Sequence, residues 1–331
     1  MQRKERIQKF VKTIWQWYAT HKRTLPWRDL PDTDPAARAY KILVSEIMLQ
    51  QTQVPRVIIK FKEFLERFPT IDDLARASNK DVIIAWRGMG YNSRALRLRD
   101  VAREIVKSDP SSGSGLKVKN DHRFPTSMED LTALPGIGHY TAAAIRNFAF
   151  NIPTPCIDTN IRRILHRTFV GPEHPDGSWE NDDKFLLKIA DEVLQIAGRP
   201  ADWHAALMDY GSLVQTKKNP KWDVCVLTRS KIMKTTPRNF PTIKPSSHPT
   251  ISGKQEPGRH VGSTFIPNRI FRGRVIEALR DAPRGLTLHD IGVQVALDWD
   301  PQEHQEWLKK ILTRLVQETM IGVRRGKYVL G

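Results

Sequence analysis

Residues 134–145 read LPGIGHYTAAAI, and this stretch decides the fold. Pro135, Gly136 and Gly138 predict a tight hairpin, and Thr141 to Ile145 begins a good helix. Glycine lets a backbone come close to a phosphate. The helix start that follows adds free N–H donors and the positive end of a dipole. Pro135, Gly136, Ile137, Gly138 and His139 are therefore candidates for contact with a DNA backbone irrespective of base sequence, with His139 a surface residue of the hairpin. The plain alternative is an ordinary glycine turn between two helices.

Eighteen residues beyond Tyr140 lies Asp158, inside PTPCIDTNIRRILHR (153–167). Asp158, Thr159 and Asn160 precede an apolar-periodic, arginine-rich helix. Asp158 could simply cap that helix; a carboxylate placed there also tends to stay ionised. Upstream, YKILVSEIMLQQTQV (40–54) predicts a helix that sets Glu46 among Ile42, Leu43, Leu49 and Gln50. A carboxyl on a mostly apolar face is either a half-exposed side chain between helices or an acid with a raised pKa, ready to donate a proton. Two carboxyls in contrasting surroundings suit cleavage of a glycosidic bond: Glu46 protonates the leaving group, and Asp158 stabilises the positively charged sugar.

The composition fits a nucleic-acid partner. Lys and Arg total 53 against 36 Asp and Glu, a formal net charge of +17, which favours a polyanion. No apolar run reaches the ~18 residues needed to cross a bilayer, and the N-terminus MQRKERIQKF has no apolar stretch of a secretory signal behind it. Cys156 and Cys225 are the only cysteines, too few for a disulfide framework, so a reducing cytoplasmic, nucleoid-associated setting is expected. Helical spacing of Val11, Ile14, Trp15 and Tyr18, and of Phe61, Phe64 and Leu65, makes residues 1–231 mainly α. Ser108 to Asp121 reads as an exposed polar loop. Residues 232–263 read as a basic, Pro/Ser-rich linker, and 264–331 as three helices and a hairpin, a winged-helix-like α+β module with Arg324, Arg325 and Lys327 on its wing.

Taken in order, LPWR (25–28), SEIMLQQTQV, GMGYNSRALRL (88–98), LPGIGHYTAAAI and CIDTNIRRILHR resemble the MutY adenine DNA glycosylases of the helix-hairpin-helix superfamily, over roughly residues 10–230. The resemblance implies a two-subdomain helix-hairpin-helix glycosylase core. It implies Glu46 as catalytic acid, Asp158 as catalytic aspartate, and Tyr140 and Asn160 as its supports. Arg28 would line the adenine pocket, and Gln50, Gln51, Thr52 and Tyr91 would probe or wedge the duplex beside the opposite base. Bifunctional relatives carry Lys where Tyr140 stands, so hydrolysis without a lyase step is expected. The expected partner is double-stranded DNA with a mismatch or oxidised base, bound by a monomer.

Three departures accompany the likeness. The family's iron–sulfur cysteines, spaced C-x6-C-x2-C-x5-C, correspond to Gln215, Trp222, Cys225 and Lys231, so no cluster and no other metal is expected. The tail lacks the Nudix-like domain and Phe-Ser-His loop by which the family reads 8-oxoguanine. The loop between Arg28 and Tyr40 is longer than usual, and Asn92 replaces a common second Tyr. Thymine or uracil mismatch glycosylases share Glu, Tyr and Asp at 46, 140 and 158 but lack the LQQTQV run. A non-catalytic lesion-binding protein has no need of both carboxyls.

Overall fold

The computed structural model of the chain describes residues 2–31, 34–107, 124–242 and 256–331. The Ser108–Asp121 stretch and the middle of the expected linker lie outside these residues. Two compact units divide the chain: Met1–Leu43 with Phe124–Pro249, and Val44–Arg123 with Thr250–Gly331.

The first unit is helical. It holds α1 (Arg3–His21), the start of α2 (Pro35–Leu49), α7 (Met128–Ala133), α8 (His139–Phe148), α9 (Thr159–Leu165), α10 (Asp183–Ala197), α11 (Pro200–Leu213) and α12 (Val226–Arg229). On α1 the buried residues Ile7, Phe10, Val11, Ile14, Trp17 and Tyr18 fall at helical spacing and form one stripe. Phe10 meets the Trp203 ring edge-on at 5.9 Å, and Trp17 meets Tyr210 at 4.9 Å, which seats α1 on α11. A π-helical turn, His166–Val170, follows α9. The chain expected to begin a linker at 232 stays packed here: Ile232, Met233 and Thr235 are buried, Thr235 N donates to Arg167 O at 2.9 Å, and Phe240 meets Trp222 edge-on.

The second unit holds the end of α2, then α3 (Val54–Arg67), α4 (Ile71–Arg76), α5 (Asn79–Ala85) and α6 (Ser93–Lys107). Thr70 and Asp73 close a reciprocal capping box on α4, as the sequence pattern of a polar cap three residues before an acid requires. The C-terminal module belongs to this unit: β1 (Gly258–Val261), β2 (Thr264–Pro267), α13 (Asn268–Arg280), α14 (Leu288–Val295), α15 (Pro301–Gln317), β3 (Ile321–Arg324) and β4 (Lys327–Leu330). β3 and β4 pair antiparallel with Ile321 opposite Leu330, and Tyr328 bridges Leu286, giving the three helices and wing expected of the tail. The β1–β2 hairpin has no sequence signal beyond its turn glycine, Gly262. Its first strand occupies chain read as linker, and its second opens the stretch read as the C-terminal module.

His204 on α11 is buried, and its Nδ1 lies 2.7 Å from Pro200 O. A carbonyl only accepts, so Nδ1 carries the proton of a neutral ring. Burial pushes its pKa down to about 4 from 6.5. Between those values the unfolded chain binds a proton that the folded chain does not. Stability is therefore complete above about pH 6.5 and falls as the pH drops to about 4, by on the order of 3 kcal/mol. Urea unfolding across this window is expected to show that loss in the natural protein and a flatter profile in His204→Gln.

Candidate active site and nucleic-acid interface

Asp158 heads α9 in the first unit. Its Oδ1 accepts from Asn160 N at 2.9 Å and Ile161 N at 2.6 Å, and its Oδ2 accepts from Asn160 Nδ2 at 2.8 Å. It is thus a helix cap, and one whose second oxygen is held by a side chain rather than left to water. Burial raises the Asp158 carboxyl above its ordinary value, while those donors and the Arg163 charge pull it down. The expectation of a readily ionised carboxylate at a helix start meets this opposing effect, and burial is the larger of the two. Asn160 is fixed in turn. Its Oδ1 accepts from Arg163 Nη2 at 2.7 Å, and the same Nη2 donates to Gly211 O at 2.8 Å. A Cβ on Gly211 would stand 2.6 Å from Asn160 Cβ, so only glycine on α11 allows α9 this close. Tyr140, on α8, packs half-buried against the same core.

The hairpin lies in the same unit. Gly136 has φ 78°, a left-handed conformation that favours glycine. Pro135, Gly136, Gly138 and His139 are exposed, whereas Ile137 turns inward and pins the turn to the core. Gly138 caps α8 with no side chain over the helix start. Arg28 is mostly buried and donates in a fork to Asp209, Nη1 to Oδ2 at 2.7 Å and Nη2 to Oδ1 at 2.8 Å. Arg23 joins from the other side, with its Nε 2.5 Å from Oδ1. Asp209 is 0% exposed, a buried anion made tolerable by two guanidinium groups. No local pattern on α11 marks Asp209, and the spacing of 181 residues to Arg28 hides the pair from sequence reading.

Glu46 lies on α2 within the second unit, 8% exposed, with Ile42, Leu43, Ile47 and Met48 buried around it on the same helix. Gln50, Gln51 and Thr52 form the loop after α2, and Tyr91 sits in the turn before α6. Arg94 brings the two segments together. Its Nη1 donates to the carbonyls of Ile47, Met48 and Gln50, and its Nη2 to Thr52 Oγ1 at 3.1 Å, Met89 O at 2.9 Å and Gly90 O at 3.2 Å. Trp86 Nε1 adds a bond to Gly90 O at 3.1 Å. Gln51 and Tyr91 have φ of 56° and 45°, a region non-glycine residues occupy at a cost of about 1–3 kcal/mol. Tyr91 is 54% exposed, so the strain is spent on presenting a ring to solvent. Arg94 thus organises both candidate loops, a role with no marker in the sequence pattern beyond an arginine at a buried position of α6.

Where the resemblance implies an iron–sulfur cluster, the donor set is different. Cys225 is buried, and its Sγ lies 3.1 Å from Tyr210 Oη, 3.3 Å from Gln215 Nε2, 3.1 Å from Thr228 Oγ1 and 3.6 Å from Met233 Sδ. Gln215 Oε1 accepts from Arg167 Nη1 at 3.0 Å, and Arg167 pairs with the buried Glu173. One thiol surrounded by hydrogen-bond partners and a guanidinium does not offer four iron ligands. These residues do not fit the group. Lys217, Lys218 and Lys221 are exposed on the loop that Arg167 holds through Thr216 O and Lys217 O.

A family profile described as HhH-GPD superfamily base excision DNA repair protein matches residues 44–182. The chain is 30% identical over 309 residues to the adenine DNA glycosylase of Mycolicibacterium smegmatis, covering 92% of each protein. It is 36% identical over 219 residues to that of Rattus norvegicus, covering 65% of this chain and 40% of the rat protein, so it spans about two-fifths of the rat relative's length. Among solved structures, a thermostable thymine-DNA glycosylase superposes with a TM-score of 0.57 at 28% identity, over 69% of this chain and 95% of that one. A likeness that runs the length of the mycobacterial protein, on a helical frame that carries the glycine hairpin and the capped aspartate, makes this chain a member of the adenine DNA glycosylase family.

Proposed function

We infer that the protein removes adenine mispaired with 8-oxoguanine or guanine, as a monofunctional DNA glycosylase in base excision repair. The observation that carries this reading is the likeness, over 92% of each chain, to an adenine DNA glycosylase, together with the presence of Glu46 and Asp158 in this sequence. Glu46 gives its proton to the departing adenine as the C1′–N9 bond breaks and the electron pair leaves with the base. The positive charge that develops on the sugar favours the ionised form of Asp158 against the effect of burial, and water then adds to C1′ and releases a proton. Tyr140 offers no amine for a Schiff base, so the abasic product is left intact. The exposed hairpin and the α8 start bind phosphate, and Arg28 with Asp209 borders the base site. Gln51, Thr52 and Tyr91 meet the opposite strand. Cys225 and its partners replace an iron–sulfur cluster with a hydrogen-bonded plug, and the enzyme works without iron.

A second reading, thymine or uracil mismatch removal, draws on the likeness to the thymine-DNA glycosylase structure. Duplexes carrying A opposite 8-oxoguanine, A opposite G, T opposite G and U opposite G separate the two after alkaline cleavage of abasic sites. Adenine strands are expected to be cut, and only after alkali. Cutting confined to T or U strands would overturn the adenine assignment, and binding without cutting would favour a lesion sensor. Glu46→Gln is expected to slow single-turnover cleavage by at least about 10²-fold with DNA affinity nearly unchanged, read by quench-flow and by filter binding. Iron analysis of purified, active protein is expected to find no stoichiometric iron and no visible iron–sulfur absorption band.

A further inference from the structure

α5 is seven residues long and leads into the turn that carries Tyr91. Its last carbonyls need donors from elsewhere. Backbone N–H groups of Trp86 and Arg87 serve Val82 O and Ile84 O, and Arg280, the final residue of α13, serves Ile83 O: its Nε and Nη2 donate there at 3.2 and 2.8 Å, and Nη2 also reaches Asn92 Oδ1 at 2.9 Å. Arg87 Nη2 lies 2.5 Å from both carboxylate oxygens of Asp281, and at the other end of α5 Asn79 Nδ2 donates to Thr319 O at 2.6 Å. Beneath these bonds Ile83 and Leu96 share one buried core with Phe271, Val275 and Leu279. The C-terminal module is therefore fastened along α5 and to the turn after it.

Tyr91 at φ 45° persists only where its surroundings over-determine it. Arg94 and Trp86 grip Met89 and Gly90 on the near side of Tyr91, and Arg280 grips Asn92 on the far side. Asn92 supplies the acceptor that this grip needs. The Arg280 side chain is 2% exposed, so it reaches DNA only through what it holds.

We propose that Arg280 is a positioning residue for the Tyr91 turn, and that through the Arg280–Asn92 bond the C-terminal module sets how sharply the enzyme discriminates the base opposite the one it removes. This rests on the glycosylase reading and on Tyr91 meeting the opposite strand. The test uses the full chain and single-turnover rates on A opposite 8-oxoguanine, G, C and T, for the natural protein, Tyr91→Ala, Arg280→Ala, Asn92→Ala and the double variant. The ratio of best to worst opposite base is expected to fall about three- to tenfold in Arg280→Ala and Asn92→Ala alike, and no further in the double variant. Hydrogen exchange at residues 88–92 is expected to quicken in both single variants. Asn92→Ala leaves the Arg280 bonds to Ile83 O in place, so it answers even if Arg280→Ala loosens the module. An unchanged ratio in Asn92→Ala while Tyr91→Ala lowers it would overturn the proposal and leave the glycosylase reading standing, as would additive effects. No adenine release by the natural protein would overturn both.

Discussion

Short helices end in carbonyls that nothing inside the helix can satisfy, and this chain answers that constraint with buried arginines. The end of α2 is closed by Arg94 from α6, and the end of α4 by Arg103, which donates to Ala75 O at 2.9 Å and Ala77 O at 3.1 Å. Arg280 closes α5, and Arg163 closes α11 through Gly211 O and Gln215 O. In each case a planar fork from one element takes two or more acceptor bonds on another, which an ammonium on a lysine cannot do at fixed geometry. The positive guanidinium also lies at the negative end of a helix dipole. Two candidate site segments hang on these closures: Gln50–Thr52 with Tyr91 on Arg94, and the Asp158–Asn160 head of α9 on Arg163.

This changes the meaning of the net charge. A value of +17 suggested a footprint for a polyanion. Arg94, Arg99, Arg163 and Arg167 are buried, however, and Arg28 is committed to Asp209. The four buried ones hold the fold and are turned away from solvent. The exposed share is carried elsewhere, by residues such as Lys217, Lys218, Lys221, Arg324, Arg325 and Lys327. Burial of a guanidinium is tolerated because it never has to lose its proton and because carbonyl dipoles surround it.

The position implied for a metal cluster follows the same logic. Gln215 and Cys225 are fully buried, and Arg167 spans from Glu173 to the carbonyls of Thr216 and Lys217. Around this position an ion pair and a set of hydrogen bonds hold the loop in place. Phe240 adds its ring face to Arg167 at 4.8 Å, which is why chain that reads as linker by composition still packs.

Local chemistry was legible from sequence alone. The glycine hairpin, the polar head of α9 at Asp158, the apolar setting of Glu46 and the helix–wing order of the tail each depend on residues within a turn or two of one another, and hydrophobic period and turn chemistry report on that range. What decided the rest were contacts across long sequence separations. Asp209 meets Arg28, Gly211 makes room for Asn160, Arg94 ties two loops, and Arg280 fastens the tail to α5 and to Asn92. None of these has a local signature, because a buried arginine and a solvent-facing one occupy the same letter in a helical repeat. Only the packed structure tells which carbonyl is left without a partner, and so which guanidinium must turn inward to meet it.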